Sequence, residues 1–500
     1  MFNKKIIKNI VYFSFLAILA IMFALLLFAF VMYIIDSPRK WTIIVLSVLY
    51  IINISSIVFV FLQHRNSESK FSWICVMVIL PFLGQLLFLI FGRKYPLRKS
   101  ELKYYKDRQE YLKKDSPHQD ELLNRFSNLT QREIKSFNSK LISDGFEFFE
   151  DLFNEIQNAK KYIFIEIFII KKSFVWKVLK KLLLEKAKEG LEIRLIFDHF
   201  GSLLVTQKEI EQLEKAGIKI TIYNKVFLPL INSNSFYRTH KKIFIIDGKT
   251  AYIGGNNISD EYIGFSGKYG YWMDTTIKIE GEIIQEVINS FIKDWNSWKP
   301  KVSKDTMDIE NYRQSYEPQN SNLGLVIDGG PDIDFSVLEV FLLQLISGAK
   351  KSIKIFSPYL IPTQRLFLAL KEALLVGVEV EIYIPGLFDK KYVKPVTIQF
   401  AKQLQFFGAK IFEYNNIFAH SKSLIIDNEH GYIGTMNLDF RSLFSQYEIN
   451  ILSKGSLIND FIDYVEKLKN EEVIKEISLK STKKSSLLQK LIIEIFKPLL

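Results

Sequence analysis

Cysteine occurs once in the chain, at Cys75, which rules out an intramolecular disulfide and argues against a cysteine-based metal site. Histidine is almost as scarce, with six in 500 residues, and no pair of them has the H-E-x-x-H spacing of a zinc site. There is no P-loop and no acidic signature that would bind divalent ions. Nothing here calls for a metal or any other cofactor.

Two of the six histidines open a stretch that occurs twice. The first copy reads His240-Lys241-Lys242-Ile243-Phe244-Ile245-Ile246-Asp247, then Gly254-Gly255-Asn256-Asn257 after six residues. The second reads His420-Ser421-Lys422-Ser423-Leu424-Ile425-Ile426-Asp427, then Gly434-Thr435-Met436-Asn437. The copies begin 180 residues apart, a spacing that suits two repeated domains and not a short solenoid repeat. Residues two apart in an extended segment share a face, so the His and Lys of each copy point the same way. The apolar runs read as buried strands, Asp247-Gly248 and Asp427-Asn428 as their turns, and Tyr252-Ile253 and Tyr432-Ile433 as short return strands.

This inventory fits one substrate held between two halves. A phosphodiester is anionic, and lysine and asparagine can hold its oxygens and stabilise charge during transfer. One imidazole can attack phosphorus while the other protonates the leaving alcohol and later deprotonates the incoming one. A lone histidine would most simply be an ordinary core or surface residue. Two copies with the same His, Lys, Asp and Asn spacing make that reading a poor one.

The pattern resembles the paired HKD motif of the phospholipase D superfamily, and its surroundings resemble bacterial cardiolipin synthases. Those surroundings are Gly254 to Tyr262, Tyr271-Trp272-Met273-Asp274, Ser357-Pro358-Tyr359-Leu360-Ile361-Pro362 and Asn437-Leu438-Asp439-Phe440-Arg441-Ser442. Thr239 stands where the family usually has Asn, and Ser445-Gln446-Tyr447-Glu448 replaces its usual Leu-Asn-Phe-Glu. The resemblance implies an α/β fold of two duplicated phospholipase D-like domains across a pseudo-twofold, with the site in the cleft, preceded by N-terminal transmembrane helices. It implies transfer between two phosphatidylglycerol molecules, giving cardiolipin and glycerol through a phosphatidyl-histidine. The catalytic set carried over is His240, Lys242, Asp247, His420, Lys422 and Asp427. Sequence does not decide which histidine attacks; family habit assigns His240. The two aspartates lie beyond the strand from their histidines and are expected to fix structure near the turn.

Asn257, Asn437, Glu166 and Glu448 are candidates for substrate binding. Glu166 sits inside an apolar strand run and Asp198-His199 follows another, positions that fit either a structural pair or support of the site. Glu448 and, as a weaker match, Asp274 are each placed to hold the nearby imidazole tautomer. His430 falls in the turn Asn428-Glu429-His430-Gly431 and is expected to be solvated.

The rest of the chain sets the context. Hydrophobic residues make up 48% and aromatics 14%, high for a soluble enzyme, and the formal charge of +12 suits an anionic partner. Val11 to Ile35 is uncharged over 25 positions, long enough to span a bilayer; Trp41 to Gln63 and Phe71 to Phe91 follow, the last broken by Pro81 and Gly84. Basic residues flank both ends, Lys4, Lys5 and Lys8 before and Arg93, Lys94, Arg98 and Lys99 after, which three full crossings would put on opposite sides. Either the third segment does not cross fully or the stronger basic cluster overrides the tail; in both cases the catalytic part is placed in the cytoplasm, in a multi-pass protein of the cell membrane.

Domain boundaries follow: a membrane region 1–95 with two to three helices, a linker 96–139, a first domain 140–300, a linker 301–322 and a second domain 323–500. Strand, helix, strand order in each half implies parallel pairing (Tyr162–Ile170, Val175–Gly190, Leu191–Phe197; Ile353–Ser357, Gln364–Leu375, Val378–Ile384). Leu487 to Leu500 reads as an amphipathic terminal helix, packing on its own domain or lying at a membrane interface. Expected partners are phosphatidylglycerol and anionic membrane lipids, without nucleic acid; the oligomeric state is open. The competing readings are a phospholipase D-type hydrolase or nuclease, and an inactive membrane scaffold. A soluble nuclease would not require the apolar spans, and a scaffold would be expected to have lost a motif.

Overall fold

The computed structural model describes residues 39–63, 65–81, 83–92, 98–112, 118–226, 233–264, 270–299, 305–317, 319, 321–333, 335–390 and 393–479, with 31, 35, 493 and 497 singly. The span 11–35, the basic tail before it and the terminal helix 487–500 therefore lie outside the described residues, those four single positions apart. Contacts divide the chain into two units, Met1–Pro96 with Lys225–Phe236 and Glu494–Phe496, and the remainder.

The smaller unit holds helix Arg39–Leu62, helix Ser67–Ile79 and the short helix Leu83–Leu87. Asn66 caps the second helix by accepting from the Glu68 amide at 2.9 Å. The helix ends before Pro81, whose ring cannot continue it. Gly84 then allows close return, since a Cβ there would lie 2.7 Å from the Val76 carbonyl oxygen. Val60, Met77 and Phe88 form a small core. On the described side chains, no helix is long and apolar enough to cross a membrane.

The larger unit is built on one continuous sheet. Its first half supplies β1 (Lys135–Ile142), β2 (Tyr162–Ile167), β3 (Glu192–Asp198), β4 (Lys219–Tyr223), β5 (Arg238–Thr239), β6 (Ile243–Ile246), β7 (Thr250–Gly254), β8 (Tyr271–Met273) and β9 (Thr276–Glu280). The second supplies β10 (Asn322–Gly329), β11 (Ser352–Phe356), β12 (Leu360–Ile361), β13 (Glu379–Pro385), β14 (Lys410–Tyr414), β15 (Ile417–Ala419), β16 (Ser423–Ile426), β17 (His430–Gly434), β18 (Leu438–Asp439), β19 (Gln446–Gly455) and β20 (Ile474–Ile477). Outward from the seam the first half runs β1-β9-β7-β6-β2-β3-β4 and the second β10-β19-β17-β16-β11-β13-β14-β20. The halves thus repeat one order about an antiparallel β1–β10 junction. As the strand-helix-strand reading implies, β2 pairs parallel to β3 and β11 to β13.

Side chains alternate across the sheet and feed two cores. Ile163 and Ile165 pack in one with helices Gly145–Asn158 and Phe174–Lys188; Tyr162 and Phe164 pack in the other with helix Ile283–Trp298. The stretch 96–139, read as a linker with some helix, carries that helix and also enters the sheet. It forms helices Arg98–Tyr111 and Glu121–Thr130 and begins β1 at the seam. Its polar sequence misleads because β1 satisfies its side chains with polar partners: Ser136 donates to Glu282 at 2.6 Å, Asn138 to Gln319 at 2.5 Å, and Asn322 to Ser139 at 3.1 Å.

Candidate active site

Each motif histidine is carried by a segment that reaches onto the opposite half. β5 pairs parallel with Gln446-Tyr447 of β19, and the His240 amide donates to the Tyr447 carbonyl at 2.8 Å. Reciprocally, β15 pairs parallel with β8, and the His420 amide donates to the Met273 carbonyl at 2.7 Å. The exchange gives each imidazole a carboxylate from the other half. His240 Nδ1 lies 3.0 Å from both Glu448 oxygens, and His420 Nδ1 2.5 Å from Asp274 Oδ2. Facing an ionised carboxylate, which only accepts, a neutral imidazole carries its proton on Nδ1 and leaves the Nε2 lone pair free. Phe168 meets His240 edge-on at 5.1 Å, and Trp272 meets His420 at 4.9 Å.

The lysines sit beside their histidines, as the two-residue spacing requires. Lys242 Nζ donates to the His240 carbonyl at 2.7 Å; Lys422 Nζ lies 2.7 Å from His420 Nδ1 and 3.5 Å from Asp274 Oδ2. Both lysines are almost completely buried. Burial, together with Lys242, Lys422, Arg441 and Lys390, holds the His240 imidazole well below its ordinary value. Burial and Lys422 bring His420 down to about 4, against the pull of Asp274. Burial also pushes Glu448 up to about 7, opposed by Lys242. Asp274 goes the other way: burial raises it, but Lys422 and His420 together leave it below the usual carboxylate range.

The remaining sequence candidates fall into different places. Glu448, read both as a substrate-binding candidate and as the holder of a nearby imidazole, faces His240 of the other half and accepts from Thr435 Oγ1 at 2.6 Å. Asp274, the weaker match, makes the shorter carboxylate-imidazole contact. Asp247 and Asp427 are not brought to the histidines. Asp247 accepts from the amides of Lys160, Lys161 and Tyr162 at 2.7, 2.7 and 3.0 Å, and Asp427 from those of Lys350, Lys351 and Ser352. Both have φ of +54°, in hairpin turns at the far ends of β6 and β16. They tie the start of β2 and β11 to the turn, a fold-holding position away from the chemistry.

Glu166 is fully buried and accepts from Thr239 Oγ1 at 2.5 Å, one residue before His240. Asp198 holds the same segment from the other side, accepting from Arg238 Nη1 at 3.2 Å and the Thr239 amide at 3.3 Å. The amide of neighbouring His199 donates to the Tyr223 carbonyl at 3.1 Å. The two asparagines differ. Asn257 accepts from the Ile169 amide at 3.1 Å and donates to Tyr262 at 2.7 Å, whereas Asn437 Oδ1 is buried without a partner among the described residues. His430 is not solvated: it is buried in β17, with Nε2 2.8 Å from Asp120 Oδ2.

Sequence reasoning missed the groups behind His240. Lys241 is 2% exposed, donates to Ser290 at 3.0 Å and pairs with Asp294; Asp328 accepts from Ser290 and from Arg132, at 3.0 and 3.1 Å. No spacing in the sequence singles these groups out, because Lys241 is one of several polar residues between Arg238 and Lys242 and its partners lie more than 40 positions away. Its counterpart Ser421 meets Thr275 Oγ1 at 2.6 Å, so the two halves differ here.

Comparison with known proteins gives the family. The family model "Cardiolipin synthase, PLD-like domain" matches residues 152–295 and 342–470, and "Phospholipase_D-nuclease N-terminal" matches 48–93. The chain is 33% identical over 430 residues to the major cardiolipin synthase ClsA of Bacillus subtilis (strain 168), covering 81% of this chain and 88% of that protein. It is 34% identical over 449 residues to cardiolipin synthase 2 of Staphylococcus epidermidis, covering 84% and 91%. The crystal structure of phosphatidylserine synthase from Haemophilus influenzae Rd KW20 shares the fold, with a TM-score of 0.58 at 17% identity, over 76% of this chain and 100% of that one. The chain belongs to the cardiolipin synthase family of the phospholipase D superfamily.

Proposed function

We propose that this enzyme joins two phosphatidylglycerol molecules into cardiolipin and releases glycerol. The observation that carries the reading is the reciprocal pairing of the two motif histidines with Glu448 and Asp274. His240 Nε2 attacks the phosphorus of the donor lipid; a P–N bond forms, the P–O bond to glycerol breaks, and His420 gives the alkoxide its proton. His420 then takes the proton of the acceptor lipid's glycerol hydroxyl. The new P–O bond forms as the P–N bond breaks. Lys242, Lys422 and Asn437 hold the phosphate oxygens, with Asn257 supporting the strand end beside them. An arriving phosphodiester favours the charged forms of both lysines and of the imidazole that must act as acid, opposing the effect of burial.

A membrane setting supports transfer over hydrolysis, because it concentrates the lipid alcohol and keeps water scarce. Helix Arg39–Leu62 has 24 residues. At about 1.5 Å per residue it is long enough for a hydrocarbon layer of about 30 Å. Ile43, Ile44, Val48, Ile51 and Phe59 on it are exposed. In the catalytic unit Phe200, Leu203 and Leu204 are exposed on the loop after β3, whose Asp198 also holds the segment leading to His240. We place the enzyme in the cell membrane as a multi-pass protein, with the catalytic unit on the cytoplasmic side against anionic lipid.

The test is to incubate the detergent-purified chain with phosphatidylglycerol, without metal or nucleotide. Cardiolipin with equimolar glycerol is expected; phosphatidic acid alone would establish a hydrolase instead.

A further inference from the structure

The acceptor lipid carries a phosphodiester that is never broken, and burying that second anion requires cations of its own. Lys242 and Lys422 are tied to the two histidines and lie deep, each 1% exposed. Two further cations stand at the same site and belong to neither motif. Lys390 is exposed on the segment after β13, its Nζ 4.9 Å from the Tyr359 ring, and that ring lies 6.5 Å from the His420 ring. Arg441 is half-buried, two residues beyond Asp439 of β18. Arg441 lies in the first turn of helix Phe440–Ser445, whose Ser442 hydroxyl accepts from the amide of the motif residue Asn437 at 3.3 Å, so Arg441 is carried on the segment that brings Asn437 to the site.

Two carboxylates lie nearby: Asp389 Oδ2 accepts from the Tyr359 hydroxyl at 2.8 Å while its buried Oδ1 has no partner among the described residues, and Asp439 Oδ1 accepts from the Ser442 amide at 2.7 Å. Among the described residues, Lys390 and Arg441 make no ion pair shorter than 4.0 Å. The first half has no match for this arrangement: the loop after β3 reads His199-Phe200-Gly201-Ser202-Leu203-Leu204-Val205, without Lys or Arg, where the segment after β13 reads Gly386-Leu387-Phe388-Asp389-Lys390.

We propose that Lys390 and Arg441 form a subsite for the unbroken phosphate of the acceptor lipid, which sets its glycerol hydroxyl toward the phosphatidyl-histidine. The inference rests on the transfer reaction proposed above and adds how the enzyme selects an anionic alcohol over glycerol. In a glycerol three carbons separate the phosphate oxygen from the far hydroxyl oxygen, so a cation pair beside the histidines orients the nucleophile without touching it.

The experiment compares two reactions of one intermediate, in uncharged detergent micelles. Cardiolipin formation needs an acceptor phosphate; exchange of labelled glycerol into phosphatidylglycerol uses the same donor and histidines but no acceptor phosphate. In the K390Q/R441Q chain the ratio of cardiolipin formation to glycerol exchange should fall roughly tenfold or more, the scale of a lost hydrogen bond to a charged group. Soluble glycerol phosphate should outcompete glycerol as acceptor in the unsubstituted chain and lose that advantage in the variant, which separates headgroup recognition from lipid recruitment. An unchanged ratio, or a parallel fall of both reactions, would overturn the subsite. Failure of the unsubstituted chain to make cardiolipin or to exchange glycerol would bring down the transfer reading itself.

Discussion

Glu448, in the second half, sets both carboxylate oxygens 3.0 Å from Nδ1 of His240, in the first. Asp274 returns the arrangement to His420, so neither half holds a complete site by itself. Glu448→Gln and Asp274→Asn keep the shape of these contacts and remove the charge. Each should lower kcat by roughly 10²-fold or more, the scale of positioned acid–base catalysis. His240→Ala and His420→Ala should abolish turnover while the protein stays folded. Full lipid synthesis in both histidine variants would contradict the assignment; quantitation of cardiolipin by mass spectrometry reads all four.

Asp247 and Asp427 test the separation of scaffold from chemistry. Asp247→Ala leaves three backbone amides without their acceptor, and should cost roughly 2–4 kcal/mol of stability. Thermal unfolding in detergent measures this. The protein that remains folded should keep near-native kcat at low temperature. A stable but inactive variant would place Asp247 back among the reacting groups.

Much of this was legible in the sequence, and the exceptions share a cause. The motif hairpins, the strand-helix-strand order of each half and the helix Gln364–Leu375 follow from local apolar periodicity, and the structure has them. What the sequence hid depends on polar groups satisfied across long separations. β1 read as linker because its serines and asparagine are paired with residues more than 140 positions away. His430 read as solvated because its partner, Asp120, is 310 residues distant. Neither Glu448 nor Asp274 could be given its histidine from the sequence, because no spacing rule announces a carboxylate that serves the other half's motif.

Glu166 supplies a pH-dependent prediction. Burial, with Asp294 beside it, pushes its carboxyl from 4.5 up to about 8, against Lys241. Between these values the unfolded chain has released the proton that the folded chain retains, so this group's contribution favours folding below pH 4.5 and is lost as pH rises toward 8. Glu166→Gln mimics the protonated form and does not titrate. Its melting temperature, relative to the unsubstituted chain, should therefore climb between pH 5 and pH 8 (about the window set by this linkage). A pH-independent difference would show that the buried carboxyl does not hold its proton.

Thr239 gives a smaller effect at the same place. Thr239→Val keeps the volume but removes the hydroxyl that meets Glu166 at 2.5 Å, and should cost about 1–3 kcal/mol. Because Thr239 immediately precedes His240, kcat should fall with stability. Denaturant unfolding and initial rates on the same preparation check both, and an unchanged stability would mean that this contact contributes nothing.

The division of labour between the two histidines is tested most directly with a donor whose leaving group needs no proton. Phosphatidyl-p-nitrophenol, given to the His420→Asn chain, should release nitrophenol in a burst equal to the enzyme and leave the phosphatidyl group on His240 as an acid-labile adduct found by peptide mapping. The His240→Asn chain should give no burst. A burst from His240→Asn with the adduct on His420 would reverse the assignment, and no adduct in either chain would contradict a covalent phosphatidyl-histidine.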